Sequence, residues 1–132
     1  MVYKTLLSPT ELNGINLNNR IVMAPMTHSR ADNDGVPRKS TALYYAQRAT
    51  AGLIISEAIN ISADAIGSPL TPGLFKNKQI KAWKEVSETV HQRGGRIFAQ
   101  LWHTGRVAHS TVRNGFLPGQ FPFRSSISLG RA

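Results

Sequence analysis

Thr27, Gln100 and Trp102 each stand near the end of an apolar run, where a strand buried on both faces would continue in aliphatic side chains. Thr27 presents a hydroxyl. Gln100 presents two donors and an acceptor carbonyl, and Trp102, two residues on, shares its face of an extended chain and supplies a flat wall. Ala58 closes another apolar run with a small side chain, after Ser56 and Glu57. Such a set suits a flat heteroaromatic ligand with several hydrogen-bonding edge atoms. None of these residues is an obvious nucleophile and no acid–base pair accompanies them. Polar recognition without a catalytic group suits a cofactor that carries its own chemistry. A glutamine satisfied by backbone and a tryptophan filling a core account for the same residue types equally well.

Other chemistry-bearing residues point less clearly to a site. His103 and His109 flank Arg106 in "HTGRVAH", which matches no metal-ligand spacing. A lone histidine in a turn is ordinarily a structural hydrogen-bonding group. Glu57 at a strand end has a catalytic reading, but a carboxylate held by a nearby arginine or backbone amide is the plainer one. Gly94-Gly95 fits a tight turn after a helix, and no dinucleotide fingerprint of the G-x-G-x-x-G type is present.

Three runs must position these groups: "RIVMAPM" (20–26), "GLIISEA" (52–58) and "RIFAQLW" (96–102). Each is short, nearly continuous and rich in aliphatic residues, as parallel strands covered on both faces are. Between them lie two helix-length segments. The first, 39–51, has Ser40 as its expected cap and stops at Gly52. The second, 78–93, follows Asn77 as N-cap and ends at Gly94-Gly95, with Ile80, Trp83, Val86 and Val90 forming one apolar stripe. Strand, helix, strand, helix, strand implies right-handed crossovers and an α/β architecture with a parallel sheet. Ahead of it, 12–19 alternates around Asn13-Gly14, a hairpin signal. The long loops 27–37 and 59–73 follow strand carboxyl ends, where such folds carry their sites.

The chain has 132 residues, 41% hydrophobic and 17% charged, which is globular composition of about one domain. It lacks cysteine, so disulfide frameworks and thiolate metal sites are excluded. No run approaches the ~18 apolar residues of a membrane span, and the N-terminus lacks signal-peptide character, so a cytoplasmic location is expected. The net charge of +9 raises the question of nucleic acid. Yet Lys76, Lys78, Lys81 and Lys84 fall on one predicted helix as a solvated face, and Arg106, Arg113, Arg124 and Arg131 scatter through loops. No aromatic platform interleaves them, so no nucleic-acid partner is expected. Three strands alone would leave two sheet edges unpaired, whereas a (β/α)8 barrel of ~250 residues closes them. The pattern is therefore that of the first part of a barrel.

The segments "NRIVMAPMTHSRA", "YYAQRATAGLIISEA", "AWKEVSETVHQRGGRIFAQLWHTGR" and "SPLTPG" closely resemble, in register from Leu6 to Leu117, the N-terminal part of the old yellow enzyme family. These are FMN-dependent ene-reductases of the N-ethylmaleimide reductase type. The resemblance implies the N-terminal part, about three βα units plus a hairpin, of a (β/α)8 TIM barrel with FMN across its carboxyl-end mouth. It implies NADPH or NADH as reductant and an activated alkene or related small electrophile as substrate. Residue by residue, it implies that Pro25, Met26 and Thr27 lie against the flavin, with the Thr27 hydroxyl tuning its reduction. It further implies that the Ala58 backbone meets the ring, that Gln100 hydrogen-bonds the pyrimidine edge, and that Trp102 walls the substrate pocket.

Two departures from the family pattern stand out. Many relatives carry Tyr where this chain has Ser68, after Gly67, so the substrate pocket is expected to be wider or differently selective. The family's substrate-binding His/Asn pair, its proton-donating Tyr and its phosphate loops fall beyond the length of this sequence. The expectation is an N-terminal portion over 1–117 with an irregular, divergent tail over 118–132, inactive alone through truncation or a disrupted reading frame. The alternative reading is a non-catalytic basic binding module, using its cationic surface or exposed strand edges.

Overall fold

A computed structural model of the chain describes residues 3–105. After a short helix, α1 (Tyr3–Leu6), the hairpin forms from β1 (Thr10–Leu12) and β2 (Ile15–Leu17), paired antiparallel with Thr10 opposite Leu17. Asn13 (φ 47°) and Gly14 (φ 81°) are both left-handed, as a two-residue hairpin turn with the right twist requires. The hairpin thus sits two residues earlier than the sequence pattern indicates, but it turns on the same dipeptide.

The parallel sheet has the order β3 (Val22–Met23), β4 (Leu53–Asn60), β5 (Ile97–Trp102). Val22 pairs with Leu53 and Met23 with Ile54. The first run is therefore paired over two residues, not over all of 20–26; Pro25 has no N–H to contribute to a ladder. The second run is longer than expected and continues through Ile59 and Asn60.

The helices also depart from their expected ends. Helix α2 is Lys39–Ala46, its cap position is Arg38 in extended conformation, and Ser40 lies inside the first turn. The residues after Ala46 close by tighter bonds, Arg48 N–H to Tyr45 O and Ala51 N–H to Arg48 O, both at 3.0 Å, so the α-helix stops before the expected 51. Helix α3 is Asn77–His91 with Lys76 at the cap position. Asn77 is displaced from that role because Gln79 reaches back and accepts from the Lys76 and Phe75 amides at 2.9 and 3.0 Å. Gly94, at φ 75°, ends the turn that follows.

Both helices cover one face of the sheet. Tyr45, Ala42 and Ala49 from α2 and its following turn, and Trp83, Val86 and Val90 from α3, pack with Ile54 and Ile59 of β4 in one cluster, with Ile97 against it. Burial of each large member is worth roughly 1.5–3 kcal/mol. Ile80 is 49% exposed, outside the expected stripe, at the rim of a groove of about 410 Å³ that it shares with Trp83, Val86, Ile97 and Ala99. Lys76, Lys78, Lys81 and Lys84 are exposed. Among the described residues, no helix is long and apolar enough to cross a membrane. The expected tail over 118–132, the segment 106–117 and His109 lie outside the described residues.

Candidate functional site

The site residues depend on an irregularity between β4 and β5. Ile54 pairs with Ile97 and Ile55 with Phe98, but the next pair is Ala58 with Gln100. Ser56 and Glu57 together therefore oppose Ala99, a bulge of one extra residue in β4. The insertion changes which face the later residues occupy. Ile54 and Ile59, five apart, both face the helices, and Ala58 and Asn60 are turned to the opposite face with their partners Gln100 and Trp102. The Ser56 hydroxyl completes the bulge by accepting the Gln100 N–H at 3.1 Å and donating to Glu57 O at 2.7 Å.

On this face Ala58 is buried, while Gln100 and Trp102 are half-buried. The Gln100 side-chain amide makes no hydrogen bond to another described residue. Phe98, Gln100 and Trp102 share the face, as the alternation indicated. Pro25, Met26 and Thr27 follow β3 as an exposed segment, and Met26 is 50% exposed. Since Met23 pairs with Ile54, Thr27 and Ala58 both lie past the paired region, at the carboxyl ends of neighbouring strands.

Trp102 and Ser68 are joined by a chain of hydrogen bonds. The Trp102 indole donates to Asn60 Oδ1 at 2.8 Å. Asn60 Nδ2 donates to Thr71 Oγ1 and to Pro72 O, each at 2.9 Å. Thr71 Oγ1 donates to Ser68 O at 2.9 Å. Asn60 and Thr71 are buried, whereas Ser68 is half-buried. The sequence pattern misses Asn60 because a polar residue after an apolar run reads as the start of a loop. Its signal is the return to an aliphatic residue, Ile61, directly after it.

Two further pairs fasten the same end of the sheet. Glu57, 3% exposed, accepts the His28 backbone N–H at 3.2 Å and lies 3.4 Å from His28 Nδ1. The plainer expectation for Glu57, a carboxylate held by a backbone amide, describes its setting. The Glu57 N–H donates to the Tyr45 hydroxyl at 2.7 Å, and burial, then the Glu57 charge, pushes that phenol's pKa well up. Across the β4 and β5 loops, His103 Nε2 lies 3.3 Å from Asp64 Oδ2, and His103 Nδ1 accepts the Gly105 N–H at 2.9 Å. That acceptance leaves the ring proton on Nε2, facing the carboxylate. The Ser62 hydroxyl donates to Asp64 Oδ1, and this bond, followed by His103, holds the Asp64 carboxyl below its ordinary range. His103 is thus the structural hydrogen-bonding group expected of a turn histidine.

Comparison with known proteins shows what this arrangement belongs to. Residues 5–121 match the family model of the NADH:flavin oxidoreductase / NADH oxidase family. The chain is 42% identical over 122 residues to 12-oxophytodienoate reductase 1 of Oryza sativa subsp. japonica, covering 92% of this chain and 31% of that protein. It is 46% identical over 115 residues to 12-oxophytodienoate reductase 7 of the same plant, covering 86% of this chain and 29% of the relative. Among solved structures, morphinone reductase in complex with tetrahydroNAD superposes with a TM-score of 0.81 at 51% identity, over 86% of this chain and 31% of that one. The old yellow enzyme homologue from Zymomonas mobilis gives a TM-score of 0.81 at 48% identity, over 83% of this chain and 31% of its own. The chain therefore spans under a third of the length of these relatives, and its three-stranded parallel sheet with helices α2 and α3 is part of their barrel fold. By its sequence and its fold, the chain belongs to the NADH:flavin oxidoreductase / NADH oxidase family.

Proposed function

We propose that this chain supplies the first βα units of an FMN-binding barrel. In this reading Pro25, Met26, Thr27, Ala58 and Gln100 contact the flavin, and Trp102 and Ser68 bound the substrate side. The observation that carries it is the pairing of Ala58 with Gln100 on the face turned away from the helices. A small residue leaves room for a planar ring beside an amide whose donors and acceptor are unengaged among the described residues, which fits the alternating donors and acceptors of a pyrimidine edge. The chemistry FMN supplies when bound is hydride transfer from NADPH or NADH to an activated alkene. The part of this chain is to bind and orient: Thr27 with a hydroxyl at the strand end, Gln100 with its amide, Trp102 with a wall. A polypeptide holding only these units is expected to bind FMN weakly and to lack turnover.

An NMR titration of the ¹⁵N-labelled chain with FMN tests the reading, because it detects weak binding. The expected result is saturable shifts at the Thr27, Ala58 and Gln100 amides and at the Trp102 indole. Absence of shifts at millimolar FMN, or shifts confined to the lysine face of α3, would overturn it. The lysine-face outcome would favour the basic binding module instead.

A further inference from the structure

We infer that Glu57, His28 and Tyr45 form a positioning unit that fixes the Thr27 segment relative to Ala58. The inference rests on the assignment of Thr27 and Ala58 to the flavin and deepens it. His28 follows Thr27 and Glu57 precedes Ala58, so one side-chain contact governs the relation between the two proposed contacts. Strand pairing ends at Met23, and the backbone rejoins the hydrogen-bond network at Ala31, whose N–H meets Leu70 O at 2.9 Å. Between these points the chain is tied to β4 by His28 and the Glu57 carboxylate, through the backbone N–H at 3.2 Å and Nδ1 at 3.4 Å. His28 Nε2 is buried without a hydrogen-bond partner among the described residues, so Glu57 is the polar anchor of this ring. The ring itself packs edge-on against Tyr44, with centroids 4.3 Å apart.

The bulge explains why Glu57 can take this role. By giving Ser56 and Glu57 one shared partner position, it removes the Glu57 N–H from the ladder and leaves that donor to the Tyr45 hydroxyl at 2.7 Å. Tyr45 is fully buried on α2, so the helix layer holds the backbone of Glu57 while its carboxylate holds the Thr27 segment. A group one ångström out of place costs a bound ring its alignment, so a tether at this position acts on binding without touching the ligand.

The test is the same FMN titration, run on the ¹⁵N-labelled chain carrying Glu57→Ala, Glu57→Gln or Tyr45→Phe. Glu57→Ala is expected to weaken FMN binding on the order of tenfold, the loss of a hydrogen bond to a charged group. Glu57→Gln keeps an acceptor for the His28 amide and is expected to recover most of that loss. Amide exchange at His28, whose N–H donates to Glu57, should quicken in the alanine variant and not in the glutamine variant, with Val86 and Val90 remaining protected. If Val86 and Val90 lose protection in Glu57→Ala, Tyr45→Phe decides, since it removes one hydroxyl at constant shape; weaker FMN binding with a protected core is the result expected. Thr27→Ala and Gln100→Ala separate the two levels. If neither weakens FMN binding, the flavin assignment falls. If both do, while Glu57→Ala and Tyr45→Phe bind FMN like the parent chain, the assignment stands and the positioning inference is overturned.

Discussion

The Trp102 indole and the Asn60 carboxamide meet at 2.8 Å with their roles unambiguous. An indole only donates and Pro72 O only accepts, so Oδ1 must face Trp102 and Nδ2 must face Pro72 and Thr71. One buried side chain therefore connects the proposed substrate wall on β5 with the loop that carries Ser68. The same loop is held from the other side, where Trp83 donates to Gly73 O at 3.2 Å.

Asn60→Leu keeps the volume and removes the side-chain polar contacts, leaving the backbone bonds to Pro72 O and from Leu74 N–H in place. The indole N–H then loses its acceptor, while Pro72 O keeps the backbone N–H of residue 60 at 2.8 Å and Thr71 Oγ1 keeps Ser68 O at 2.9 Å. One unsatisfied donor costs about 1–3 kcal/mol. Urea unfolding should show this loss, and the Trp102 indole proton should move upfield and exchange faster with solvent. A midpoint equal to that of the parent chain would show that water replaces the carboxamide without cost.

Most of the element order was legible because parallel strands covered on both faces are continuous aliphatic runs, and Gly52 and Gly94-Gly95 punctuate them. The bulge at Ser56-Glu57 was not. A run without alternation carries no mark of which residue faces which side, and the extra residue is defined only against β5. The shared face of Phe98, Gln100 and Trp102 was readable from period-two spacing alone, whereas its junction with Ala58 needed the partner strand. Ile80 shows the converse: correct helical spacing placed it on the apolar stripe, but it lies at the rim of the groove and not under the sheet. Caps failed for a local reason, since Arg38 and Lys76 occupy cap positions through backbone conformation and not through residue type.

Asp64 gives a pH-dependent link between the β4 and β5 loops. Its carboxyl is held below the ordinary range first by Ser62 and then by His103. A depressed carboxyl pKa contributes stability that is present above the unfolded value and is lost as pH falls through the folded one. The contact with His103 is therefore expected at neutral pH and should loosen only in acid below the ordinary carboxylate range. Ser62→Ala should move the Asp64 midpoint upward in a ¹³C carboxyl titration. Asp64 is well exposed, so global stability should change little. An unmoved midpoint would assign the depression to His103.

Gly52 and Gly94 stand at the two turns that feed β4 and β5, and they should respond to alanine for different reasons. A Cβ on Gly52 would fall 2.0 Å from Asn19 O, in the same loop contact where Asn19 Oδ1 accepts the Gly52 N–H at 2.8 Å and Asn19 Nδ2 donates to Thr50 O at 2.8 Å. The clash is with backbone, which cannot rotate away, so Gly52→Ala should cost at least the ~1–3 kcal/mol of an overpacked site. A Cβ on Gly94 meets nothing within 4 Å, but the residue sits at φ +75°. Gly94→Ala should cost roughly 1–2 kcal/mol through backbone conformation alone, and Gly94→Asn, which tolerates that conformation, should recover part of it. Thermal unfolding of the three variants separates the mechanisms. If Gly52→Ala unfolded at the temperature of the parent chain, the approach of Asn19 O would not limit the side chain at the turn before β4.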